Sequence, residues 1–250
     1  MTNKISYPDK SEMLAEECGI HLGDGYMDIK KNKWGIHYEY SYSAHAIEDK
    51  PYSQYVESLM KSLYNLSNGY KTLHGNEFRL CYNSKELINF KLAIGMPLSP
   101  KENMKIPTWI KAKRNLLATF LRGIFDTDGS LMFKSKNDRL HDYPNIYLSL
   151  KDKSLINEIK EALLTFNLIT SYCKVISFDK RTNKTYLKYG LCLSGIEKLT
   201  SFINEIGFNN EKHLTKYKIW KRFGFCPPKT TLNQRKNLLK GTLNINLFKK

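Results

Sequence analysis

The chain has 250 residues, of which 41% are hydrophobic and 26% charged, the proportions of a protein that buries an ordinary core. Its 40 Lys and Arg outnumber 24 Asp and Glu to give a formal net charge of +16, a field that selects polyanions, nucleic acid first, as partners. Cys18, Cys81, Cys173, Cys192 and Cys226 are scattered with no C-x-x-C pair, which excludes a disulfide framework and a zinc knuckle.

In chain order, residues 11–23 have helical spacing through Met13, Leu14, Cys18 and Leu22, with Ser11 as N-cap and Gly23 and Gly25 at the end. Strands follow near 26–32 and 34–43. In the second, Ile36, Tyr38, Tyr40 and Tyr42 alternate with His37, Glu39, Ser41 and Ser43, the period of a sheet with one covered and one wet face. Pro51 opens a helix to Asn65, strands lie near 69–73 and 77–83, and a helix runs from Ser84 to Ile94. A linker at 101–111 contains Pro107. The order then recurs: a helix at 112–127, strands at 130–136 and 145–150, a helix at 152–166, strands at 171–178 and 185–193, and a helix at 195–206. A last helix at 210–222 leads to Cys226-Pro227-Pro228 and a tail with basic residues and no acid. The fold expected is α+β, two αββαββα repeats over 1–105 and 106–226, with 227–250 a basic tail lying on the surface or on a nucleic-acid backbone.

The repeat is visible residue by residue. Glu17 to Gly25, ECGIHLGDG, and Leu121 to Gly129, LRGIFDTDG, share Gly19/Gly123, Ile20/Ile124, Asp24/Asp128 and Gly25/Gly129. One Asp-Gly at a helix end is plain turn chemistry. Two of them, each closing an apolar helix with a glycine inside it, are not. Gly19 and Gly123 each cost a helix roughly 1 kcal/mol relative to Ala, which makes sense if two helices approach backbone to backbone.

These paired segments, with the surrounding Ile106 to Leu131, resemble the motifs of the LAGLIDADG homing endonucleases, and the resemblance covers roughly Ser11 to Pro228. It implies pseudo-symmetric repeats whose motif helices pack at the centre, each delivering a carboxylate to the base of saddle-shaped antiparallel sheets that face DNA. It further implies cleavage of double-stranded DNA with a divalent metal held by Asp24 and Asp128, and by the carbonyls before them at Gly23 and Thr127. Two carboxylates about 4 Å apart repel by around 4 kcal/mol at an effective dielectric near 20, so the pair calls for a cation. Oxygen ligands and a phosphate substrate favour Mg²⁺, with Mn²⁺ as a substitute, over zinc. The family places a lysine well downstream of each metal aspartate. Lys101, 77 residues after Asp24, and Lys212, 84 after Asp128, take that place, with Lys151 a further candidate. Leu22 stands where the second motif has Asp126. His21, opposite Phe125, reads as a packed histidine rather than a base, because nothing in the sequence orients it.

A sequence-reading face should be formed by polar strand faces in the major groove. The outward sets are Asp28, Lys30 and Asn32; His37, Glu39 and Ser41; Ser130, Lys134 and Lys136; Asn145 and Tyr147; and, on outer strands, Arg79, Tyr82, Lys174 and Lys188. Two readings stay open: a DNA endonuclease acting as a monomer, or a protein of the same fold that binds DNA or intron RNA without cutting, as a maturase does. A self-splicing element is disfavoured by Met1, by the Lys249-Lys250 end and by the length. No signal-peptide core and no run of roughly 18 apolar residues is present, so a soluble, intracellular protein in a compartment that holds DNA is expected.

Overall fold

The computed structural model describes residues 5–66, 69–135, 140–179 and 183–249. The first half runs α1 (Glu12–Leu22), β1 (Gly25–Asn32), β2 (Gly35–His45), α2 (Lys50–Tyr64), β3 (Tyr70–His74), β4 (Glu77–Tyr82) and α3 (Lys85–Ala93). A short α4 (Thr108–Lys111) precedes α5 (Arg114–Thr127), β5 (Gly129–Lys134), β6 (Tyr143–Leu150), α6 (Lys153–Leu164), β7 (Ser171–Asp179), β8 (Lys184–Ser194) and α7 (Ile196–Glu205). Then come α8 (Glu211–Phe223), α9 (Leu232–Lys240) and a 3-10 turn (Ile245–Phe248). Each half carries one antiparallel four-stranded sheet, ordered β1-β2-β4-β3 and β5-β6-β8-β7. The two αββαββα repeats anticipated from the sequence are therefore present.

Local chemistry sets the helix ends. Ser11 Oγ accepts from the Leu14 N–H at 3.3 Å to start α1, and Asp152 Oδ1 accepts from Leu155 at 2.7 Å to start α6. Pro51 occupies the first turn of α2, where its missing N–H costs nothing. Unlike a surface helix, α1 is buried on every side from Leu14 to Leu22, Glu16 and Glu17 included. Such burial of acids requires partners. Tyr40 and Tyr64 donate to the two Glu17 carboxylate oxygens at 2.8 and 2.9 Å, and Lys91 is ion-paired to one of them with both side chains fully buried. Glu16 accepts from Tyr55 at 2.9 Å and pairs with Arg122 of α5 at 2.6 Å.

The alternation read along β2 holds only where the helices cover the sheet. Tyr40 and Tyr42 are in the core, but Ile36, like Trp34 in the hairpin turn, projects past it and is exposed. The residues expected to form a basic tail fold instead. Cys226 donates to His141 O at 2.9 Å, and both oxygens of the Glu48 carboxylate accept from the Leu232 N–H at the start of α9. That seats Leu238 and the Arg235 side chain in the interior. No helix among the described residues is long and apolar enough to cross a membrane.

Candidate active site

The site is made by the crossing of α1 and α5. A Cβ on Gly19 would overlap the carbonyl oxygen of Phe120 and stand 3.1 Å from the Ile124 nitrogen, and one on Gly123 would overlap the Glu16 carbonyl oxygen and stand 2.9 Å from the Ile20 nitrogen. Only glycine permits that approach, as the sequence pattern anticipated. The crossing brings the helix ends together. A Cβ on Gly23 would meet the Thr127 side chain and lie 3.1 Å from Asp128 Oδ2. Asp24, two residues past the end of α1, and Asp128, one residue past the end of α5, thus stand side by side.

Their electrostatics follow from that position. Asp24 is pushed up to about 7 by burial and then by the charge of Asp128, against the opposing pull of Lys212 and Lys101. Asp128 is raised by burial too, with Lys101, Lys188 and Lys212 drawing it back down. The Asp128 carboxylate is nevertheless in contact with solvent, and Asp24 partly so. They are crowded together without being sealed in. Asp24 also borders a cavity of about 540 Å³ shared with Ser43, His45, Asp49 and Glu77.

Lys101 lies where the sequence placed it, and its role is more than a charge. Its Nζ lies within hydrogen-bonding distance of the carbonyls of His21, Leu22, Gly23 and Gly25 at 2.8, 2.9, 2.8 and 2.7 Å, at the negative end of the α1 dipole. Burial lowers the ammonium to about 8 while Asp128 and Asp24 hold it up. Lys212 is tethered differently, ion-paired to Asp49 Oδ1 at 3.0 Å. Lys151 is elsewhere, its Nζ 3.4 Å from the centre of the Tyr186 ring. It is not among the cations that draw on the acid pair. His21 is packed, as expected: Nε2 lies 3.2 Å from Pro97 O and the ring stacks on Tyr40. Burial, then Lys91 and Lys101, hold it well below the usual histidine range.

Asp49 had no signal in the sequence. It occupies the N-cap position of α2, where an aspartate normally reads as a cap. Here it caps nothing and takes Lys212 and the Asn210 side-chain amide instead, the latter at 3.1 Å. Asp126 likewise is a brace. Burial raises it to about 7 although the Asn209 and Asn210 N–H groups donate to its two oxygens at 2.9 and 3.0 Å. The bonds tie α5 to the segment that carries Lys212.

The strand register decides the outward faces. On the first sheet Asp28, Lys30, Asn32, His37, Glu39, Ser41 and Arg79 share the face opposite the helices. Five of them are already paired with one another: Arg79 reaches Glu39 at 2.7 Å and Ser41 at 2.9 Å, and Lys30 reaches Asp28 at 3.4 Å. Ser41 is buried beneath Arg79. On the second sheet Ser130, Lys134, Asn145, Tyr147 and Lys188 share the outward face, with Asn145 held under Ser194 and Cys192 at 3.0 and 2.9 Å. Two residues expected there are not. Tyr82 pairs with Tyr40 and is buried with Leu80 in the core. Lys174 pairs with Tyr189, one residue out of phase with outward-facing Cys173 and Val175. In both cases the alternation was counted one residue out of phase. Lys136 lies outside the described residues.

Residues 115–207 match the LAGLIDADG-like domain family. Most of the chain shares the fold of solved LAGLIDADG homing endonucleases. I-DmoI in complex with DNA and Mn aligns with a TM-score of 0.54 and 15% identity over 80% of this chain and 98% of that one. The meganuclease I-SmaMI bound to uncleaveable DNA aligns at 0.52 and 10% over 86% and 91%. The N-terminal LAGLIDADG domain of DUF199/WhiA aligns at 0.51 and 16% over 80% and 83%. Among curated proteins, the replication factor C small subunit of Methanocaldococcus jannaschii is 28% identical over 209 residues, and that organism's glutamine–fructose-6-phosphate aminotransferase is 28% identical over 224. The matches take in 83% and 86% of this chain but only 10% and 18% of those proteins.

The acid pair suits a hard cation. No group of three or more His, Cys, Asp or Glu side chains is gathered for a metal among the described residues. The side-chain donors are therefore two carboxylates, short of a closed cage and suited to an ion that keeps waters and completes its shell with substrate phosphate oxygens. The Gly23 carbonyl, expected to face the metal, already accepts from Lys101 and has one further lone pair to offer.

Proposed function

We propose that the chain is a divalent-metal-dependent, site-specific endonuclease of double-stranded DNA that makes a staggered cut at a long site, with Mg²⁺ as its ion and Mn²⁺ as a substitute. The observation that carries this reading is the convergence of Asp24 and Asp128 at two abutting helix ends, raised by burial and mutual repulsion and ringed by Lys101, Lys188 and Lys212. Ionised carboxylates at such a spot are unfavourable unless a cation joins them. When bound, the metal supplies Lewis acidity at the scissile phosphate and at the attacking and leaving oxygens.

The chain's own residues do the rest. Asp24, Asp128 and the Gly23 and Thr127 carbonyls hold the ion, and the Gly19–Gly123 crossing fixes the carboxylate spacing. Lys101 and Lys212 stabilise negative charge that develops on the phosphate. The outward sheet faces lie along the duplex, and docking there requires Glu39 and Arg79 to exchange their ion pair for DNA contacts. The protein works as a monomer, because both acids belong to one chain.

The test is incubation with a plasmid library carrying randomised inserts in Mg²⁺, followed by sequencing of the linear ends. Ends clustered on one motif, absent with Asp24→Asn or Asp128→Asn, support the reading. Sequence-selective binding with no ends would leave a DNA- or intron-RNA-binding protein of the same fold.

A further inference from the structure

Beside the acid pair, between β5 and α9, lies a cavity of about 390 Å³ lined by Lys212, Lys216, Lys229 and the buried Arg235. Among the described residues Glu48 is the one carboxylate that lines it, and it is occupied by Arg235 at 3.2 Å and by the Leu232 N–H at 3.0 Å. Lys212 has Asp49. Lys216 has no carboxylate within ion-pair distance among the described residues. Its ammonium donates to Leu131 O at 3.0 Å and keeps two further protons to give. Burial, then Arg235 and Lys212, push it below the usual lysine range, against a weaker opposing pull from Cys226 and Glu48. Lys229 stands at φ +56, a left-handed conformation that costs a non-glycine residue about 1 kcal/mol or more. Its side chain is exposed. Pro227, Pro228 and Phe133 form apolar wall, which lowers the local dielectric and strengthens an ionic bond made inside.

We propose that this cavity is a second phosphate site, which holds a backbone phosphate of the DNA strand next to the one at the acids. The inference rests on the endonuclease reading. Lys212 both lines the cavity and acts on Asp24 and Asp128, so the two sites are contiguous, and a DNA strand presents its phosphates at about 3.4 Å of helix axis each. The C-terminal segment is then part of the substrate-binding surface: its fold against β5 places Lys229 and Arg235 at the cavity.

The experiment measures duplex affinity against salt for the full chain, for Lys216→Met and for Lys229→Gln, with thermal melting in inorganic phosphate alongside. Lys229→Gln, at an exposed position, keeps the test valid if Lys216→Met folds poorly. Each variant should have a log–log salt slope shallower by about 1, and phosphate should raise the melting temperature of the wild type but not of Lys216→Met. Unchanged slopes in both variants overturn the proposal. If phosphate protection depends on Lys216 while the slopes are unchanged, the ligand is free phosphate and the DNA assignment falls. Failure of the wild type to bind any duplex would instead remove the endonuclease reading, and the DNA assignment with it.

Discussion

Asp24→Asn should make the metal-free protein more stable at pH 8 while it abolishes cleavage. The Asp24 carboxyl stands at about 7 against an ordinary 3.8. A carboxyl raised in the folded state keeps its proton where the unfolded chain has lost it. Its ionisation therefore costs nothing below pH 4, costs progressively more from 4 to 7, and costs a constant amount above 7. About three units at about 1.4 kcal/mol each is about 4 kcal/mol. Partial exposure of Asp24 screens the charge and brings the figure down to about 2 kcal/mol. Asparagine has the same shape and no charge, so the variant should gain about 2 kcal/mol at pH 8, or about 5 °C in melting temperature for a chain of this size. The gain should vanish near pH 4. The assay is urea and thermal unfolding in EDTA at both pH values. A variant equal to or weaker than the wild type at pH 8 would refute the claim that ionising this site is a burden on the folded state. Added Mg²⁺ should reverse the order, because only ionised acids bind it and binding stabilises the native state.

Mg²⁺ affinity should fall as pH drops below about 7, where Asp24 protonates, and calorimetry in buffers of different ionisation enthalpy should register proton release on binding. Gly123→Ala should force α1 and α5 apart, costing about 1–3 kcal/mol in urea unfolding and lowering Mg²⁺ affinity by spreading the acids. Lys91→Met should cost about 3–5 kcal/mol, because it leaves Glu17 ionised and unpaired in the core. Lys91→Met with Glu17→Gln should recover part of that loss.

Much of the site was legible because duplication doubles a weak signal. Asp24 alone is a turn residue, but its recurrence at Asp128 with Gly19 and Gly123 at the same offset fixed the helix pair, the acids and the positions of the strands. Lys101 was legible only through the resemblance, which places a lysine at that distance from Asp24, and its four carbonyl contacts were not legible at all. What sequence reasoning lost has two physical origins. Side-chain direction in a strand has period two, so one residue of phase error sends Tyr82 into the core and Lys174 to the helix side. Pairs made across the halves leave no periodicity at all. Glu48 and Arg235 are 187 residues apart, and Asp49 pairs with Lys212 from equally remote parts of the chain. For this reason the last segment read as a basic tail when its arginine is a buried structural element.

These cross-half pairs also make the two sides of the site unequal, with a consequence for strand order. Lys101 is fixed among backbone carbonyls that cannot move without unwinding the end of α1. Lys212 is held by one partly exposed carboxylate, Asp49, and must give up that ion pair before it can serve a phosphate fully. An exposed pair is worth about 0–1 kcal/mol, enough for up to a several-fold rate difference between strands. Supercoiled plasmid carrying the target should therefore pass through a nicked form before it becomes linear. Asp49→Asn frees Lys212 and should reduce that accumulation, whereas Lys212→Met should increase it until nicked circles are the main product. Direct conversion to linear plasmid by all three proteins would show that the tether on Lys212 has no part in the order of cutting.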